Sequence, residues 1–132
     1  MKAVDLLIVG EGAATEAAHA YARRAGTAVR VLPGGVLRAG AAGWEVDGIA
    51  ARAVLLAGAD ALEIWQAAGG AVVENPVLGR AVPRPGGLPG VEVAGAGLGV
   101  EGAAAQAKSG RFRARKLLGE LAPRPGGGIR GA

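Results

Sequence analysis

This 132-residue chain predicts an α/β fold with a parallel sheet and a small antiparallel meander, and three observations carry the expectation. Residues 4–32 (VDLLIVGEGAATEAAHAYARRAGTAVRVL) read as strand, glycine turn, small-residue helix and strand. Residues 88–111 (LPGVEVAGAGLGVEGAAAQAKSGR) read as a further strand that runs into a second glycine turn and helix. Between these two stretches, short β-type runs alternate with Gly- and Pro-rich breaks.

Each element follows from its local pattern. Leu6-Leu7-Ile8-Val9 is a short continuous apolar run that ends at Gly10, as a strand buried on both faces does. Ala14, Ala17, Ala18, Tyr21, Ala22 and Ala25 then recur at helical spacing, and Gly26 is a natural stop. Ala28–Leu32 reads as the second parallel strand, completing a βαβ unit. Pro33-Gly34-Gly35 breaks the pattern, and residues 36–50 form a hairpin or meander. Ala51–Ala57 is a third buried strand ended by Gly58, and Asp60 is placed to cap a short helix through Ala68. Residues 71–87 predict irregular strands and loops. Val91–Ala94 is the last strand, and residues 100–121 are the longest helix. Residues 1–122 are expected to form one domain, and PRPGGGIRGA from Pro123 a disordered tail.

Composition narrows the class. The chain has 31 Ala and 25 Gly, so helices can approach a sheet closely while little large apolar area is available to bury. With no Cys, disulfides and thiolate chemistry are excluded. His19 is the only histidine; it lies off the apolar helix face, which predicts a solvent-facing side chain and no His-rich metal site. No apolar run approaches membrane-span length, and Met1-Lys2 is not followed by a signal-type apolar segment, so a cytoplasmic, membrane-free protein is expected. A net charge of +4 admits anionic partners. One Phe, one Tyr and two Trp offer little for base stacking, and nucleic acid is not an expected partner.

In a nucleotide-binding βαβ unit the first glycine makes the tight turn and the second admits the pyrophosphate. The third keeps helix and strand close, while the helix N-terminus supplies unpaired N–H groups. Gly10 and Gly12 take the first two positions, and Thr15 takes the third. Glu11 places a negative charge beside the expected phosphates. The acid that holds the ribose hydroxyls belongs at the end of the second strand, where this chain has Leu32-Pro33.

The order of segments resembles that of FAD-dependent oxidoreductases of the pyridine-nucleotide-disulfide type, among them subunits related to sarcosine oxidase alpha and proline dehydrogenase alpha. VDLLIVGEGAATEAA resembles their N-terminal FAD fingerprint. Residues 44–59 (WEVDGIAARAVLLAGA) are similar to the segment leading into their ATG strand, and residues 69–111 resemble the stretch ending in their second FAD motif. The departures are specific. Ala96 stands where the family has a carboxylate toward the flavin's ribityl chain. Ala57-Gly58-Ala59 lacks the ATG threonine, and the family's middle domain is missing.

The resemblance implies a Rossmann-like FAD/NAD(P)-binding domain with FAD as cofactor and NAD(P) as second choice. Its cofactor positions would be Gly10, Glu11, Gly12, Ala13, Ala14 and Thr15 at the diphosphate, and Leu32 and Pro33 on the ribose side. Gly58 would be a further cofactor position, and Gly95, Ala96 and Gly97 would lie near the ribityl chain. The implied function is a small FAD-domain-like subunit or remnant of a flavin-dependent oxidoreductase, completed by a larger oxidoreductase subunit or a second copy of itself. No residue offers itself as a catalytic acid, base or nucleophile, so redox chemistry would belong to the cofactor. The alternative is a non-catalytic interaction subunit that keeps the fold and has lost its cofactor; Pro33, Ala96 and Glu11 favour it. Lys108, Arg111 and Arg115 read as a solvated helix face, and Trp44 and Trp65 as core packing.

Overall fold

Leu6 and Ile8 face one side of the first strand and Leu7 and Val9 the other, and burial of all four decides the layering. A computed structural model describes residues 3–121, and the expected tail lies outside them. β1 (Val4–Val9) is flanked in parallel by β2 (Val29–Leu32) and β5 (Ile49–Leu56). The end of β5 pairs in parallel with β8 (Val91–Val93). Its first residues pair antiparallel with β4 (Gly43–Val46), which in turn pairs with β3 (Leu37–Gly40). These six strands form one mixed sheet, and β6 (Val72–Asn75) and β7 (Arg80–Pro83) form a separate antiparallel pair. The expected α/β sheet with an antiparallel meander is therefore present.

On one face, Leu6, Ile8, Ala53 and Leu55 are covered by α1 (Ala13–Arg24) and α3 (Ala103–Glu120), through Ala14, Ala18, Ala22, Ala114 and Leu117. On the other face, Leu7, Val9, Val54 and Leu56 meet Leu37 and Val46 of the meander and Trp65 of α2 (Ala61–Ala67). Both tryptophans serve packing. Trp65 is buried and its Nε1 donates to the Ala71 carbonyl at 2.8 Å, while half-buried Trp44 donates to the Pro89 carbonyl at 2.7 Å.

The small residues of α1 have a direct consequence. Gly110 of α3 rests on the Ala14 carbonyl, where a Cβ would overlap backbone. A methyl group there has nowhere to go, so the two helices need glycine at this crossing.

Asp5 is the one charge inside the first apolar run, and it ties three strands. Its Oδ2 accepts the Ala28 N–H at 3.2 Å just before β2, and its Oδ1 accepts from Arg52 of β5 at 3.2 Å.

Several expectations need correction. Residues 71–87 are more regular than anticipated: the Asn75 side chain accepts the N–H groups of Val77 and Leu78, closing a turn that lets β6 and β7 pair. Asp60 precedes α2 but makes no side-chain capping bond, because its φ of −94° and ψ of 13° are not the extended conformation that caps. The last helix starts at Ala103, since Gly102 with φ of 89° intervenes after the second glycine bend. The buried face of α1 is Ala14, Thr15, Ala18 and Ala22; Ala25, expected on that face, is exposed, while His19 lies off it and is half-buried.

Urea unfolding checks this packing. Gly110→Ala is expected to cost roughly 1–3 kcal/mol or more through overpacking. Gly119→Ala, on the same helix with open space around it, is expected to add about 0.5–1 kcal/mol. Asp5→Ala is expected to cost about 1–3 kcal/mol, because the Ala28 amide and the Arg52 guanidinium lose a part-buried acceptor.

Candidate functional site

Three backbone bends meet at the C-terminal ends of the parallel strands. The connection from β1 leads to β2 on one side, while β5 lies on the other, so the β1–β5 boundary is where strand order reverses. In open α/β sheets ligands lodge at such a boundary. Gly10 ends β1 there with φ of 125°, its N–H donating to the Leu32 carbonyl at 2.8 Å. Gly10 lies directly against the backbone of Gly58 at the end of β5, and a side chain on Gly10 would overlap it. The third bend follows β8: a 3₁₀ turn, Gly95–Leu98, packs beside the first two. A Cβ on Gly95 would lie 2.7 Å from that of Ala14, and one on Gly97 would lie 2.7 Å from Ala61 Cβ.

The start of α1 points at this junction. Glu16 makes the first intrahelical bond, to the Gly12 carbonyl at 3.1 Å, so the N–H groups of Ala13, Ala14 and Thr15 have no partner within the helix. Gly12 caps the helix with φ of 122° and no side-chain bond. Glu11 and Gly12 are exposed and Ala13 half-buried, which leaves the mouth of the bend open to solvent. Ala14 and Thr15 are buried beneath it. The Thr15 hydroxyl has no hydrogen-bond partner among the described residues. Such a group costs stability unless something outside the fold satisfies it.

The second bend is fastened from α3. Gly95 N–H donates to the Ser109 hydroxyl at 3.0 Å, and Gln106 Nε2 donates to the Val100 carbonyl at 2.9 Å. Neither Ser109 nor Gln106 stood out in the sequence; small polar residues one helical turn apart facing a glycine bend were the available signal.

The charges around the junction oppose an anion. Exposed Glu11 contributes its carboxylate, and Asp60 Oδ1 approaches Gly58 closely, 3.1 Å from where a Cβ would be. Pro33 is exposed after β2 and offers no side-chain acceptor, and half-buried Ala96 offers none in the second bend. The predicted positions Gly10 to Thr15, Leu32, Gly58, Gly95 and Gly97 thus meet in space, with Pro33 and Ala96 alongside in sequence but chemically silent.

A separate cavity of about 410 Å³ lies between β8, the β6–β7 pair, α2 and α3, and none of the predicted positions lines it. At its edge Glu92 of β8 receives Arg113 Nη1 and Lys116 Nζ, each at 2.7 Å. The bond to Glu92 holds the Lys116 ammonium above its ordinary pKa, outweighing the opposite pull of burial. A raised lysine stabilises the fold at neutral pH, and the gain disappears only as pH climbs above the ordinary lysine range. Among the described residues, no three His, Asp or Glu side chains gather as a metal-binding group, and no helix is long and apolar enough to cross a membrane.

No family model, curated protein or solved structure matches this chain. The site stands on its own geometry.

Thr15→Val tests the orphaned hydroxyl by thermal or urea unfolding. The substitution keeps the shape and removes the buried oxygen, so a gain of about 1 kcal/mol is expected. A loss instead would mean that the hydroxyl has a partner in solution.

Proposed function

We propose that this chain is a small Rossmann-like nucleotide-binding subunit that holds FAD by its diphosphate and serves a flavin-dependent oxidoreductase. The observation that supports the reading is the convergence of the bends at Gly10–Gly12, Gly58 and Gly95–Gly97 on the open N-terminus of α1. Glycine at these places lets backbone approach backbone, and the amides of Ala13, Ala14 and Thr15 offer an anion fixed partial positive charge. FAD is preferred to NAD(P) because the succession of segments resembles the FAD domain of those oxidoreductases. The chain supplies binding and orientation, and the flavin supplies electron transfer. A larger subunit or a second copy supplies the substrate side.

The second reading, a non-catalytic interaction subunit with the same fold, is favoured by a specific observation. Pro33 and Ala96 provide no ribose or ribityl acceptor, while Glu11 and Asp60 put two carboxylates near the anion position.

Reconstitution separates the two. Protein mixed with FAD at low salt and desalted is expected to keep visible flavin absorbance. Glu11→Gln removes a like charge from an exposed position and is expected to tighten FAD binding about two- to five-fold, equivalent to roughly 0.5–1 kcal/mol. A folded sample that emerges colourless, alone and with any co-purifying subunit, favours the interaction subunit.

A further inference from the structure

The cavity beside β8 has the make-up of a second ligand site, which shares with the glycine junction the 3₁₀ turn ending at Leu98. Its walls are apolar: Trp65, Val73, Val82, Val91, Val93 and Leu98 face it. Its volume, about 410 Å³, falls in the range of small-molecule sites, which combine apolar walls with a few placed polar groups. At about 30 Å³ for each water-sized group, that space holds roughly a dozen non-hydrogen atoms.

The polar groups at its edge are unequal in sign. Arg84, Arg113 and Lys116 line the cavity, and Arg80 lies against Gly99 at its rim. Facing these four cations are the carboxylate of Glu92, which also lines the cavity, and that of Glu120, 3.7 Å from Lys116. Glu92 already has both oxygens engaged, one by Arg113 and one by Lys116. Arg80 and Arg84 form no ion pair among the described residues. Glu74 is exposed and does not line the cavity. The edge therefore carries surplus positive charge over an apolar interior.

We infer that this cavity binds a small amphipathic anion: an apolar body of about ten carbons seated among Val73, Val82, Val91 and Val93, with one carboxylate or phosphate head between Arg84 and the Arg113–Lys116 pair. The apolar body gains by leaving water, and the guanidinium of Arg84 can take an anionic head through two parallel N–H bonds. The same balance rejects a cationic head.

Calorimetric titration with decanoate below its micellar concentration tests the inference, with decyl phosphate, decanol and decyltrimethylammonium as companion arms. Binding of decanoate or decyl phosphate at least tenfold tighter than decanol, weakening as salt is raised, supports it; the tighter of the two identifies the head group. Arg84→Glu, at an exposed position, is expected to weaken the anion at least fivefold while circular dichroism stays unchanged. Glu11→Gln, at the glycine junction, is expected to leave decanoate affinity unaltered. Absence of binding by both anions to folded protein overturns the inference, as does equal affinity for decanol or for the ammonium compound. An Arg84→Glu variant that binds like the parent overturns it as well.

Discussion

Where Gly10 passes Gly58 there is no room for a methyl group, and the same holds where Gly110 crosses the Ala14 carbonyl. These two contacts set the spacing of everything around them. The first joins the ends of β1 and β5, and the second presses α3 onto α1 over the same sheet face. A chain with 31 Ala and 25 Gly has few large side chains with which to fill a core, so its layers are held together by approach rather than bulk. Closeness also shapes the site, because bends built from backbone leave amides rather than side chains at the surface.

Around that constraint the polar groups divide into two kinds. Asp5, Ser109 and Glu92 each bind between elements: Asp5 across β1, β2 and β5, Ser109 from α3 to the second bend, Glu92 from β8 to α3. Each is a short, local tie that fixes one strand end or one bend. Glu11, Asp60 and the Thr15 hydroxyl have no such role within the described fold: Glu11 is exposed in the first bend, Asp60 lies beside Gly58, and Thr15 is buried in the first turn of α1. A ligand at the first bend would meet amides that attract an anion and carboxylates that repel it. That opposition separates the two functional readings.

Much of the architecture is legible in the sequence. The strand at Val4–Val9, the helix after Gly12, the meander, the strand ending at Gly58 and the strand before Gly95 follow from apolar runs bounded by glycine. The adjacency of the Gly10 and Gly95 bends followed from parallel strands that each run into a glycine turn. Other features depended on partners far away in sequence. Nothing local to Gly110 announces the Ala14 carbonyl, and nothing local to Asp5 announces Arg52. The β6–β7 pair was hidden because its strands are only four residues long and Pro76 and Gly79 crowd the connection between them, and its turn rests on one Asn75 side chain. The cavity was invisible as well, since its walls come from six separate elements.

The central claim is that backbone amides at the meeting of the three bends form an anion site. Amide NMR during titration with ADP, the smallest molecule carrying the adenosine diphosphate portion of FAD, tests it most directly. Saturable shifts confined to Glu11 through Thr15, Gly58 and Gly95 through Gly97 are expected. Unmoved amides at those positions in a folded sample, or shifts centred instead on Val82, Val93 and Arg113, would contradict it.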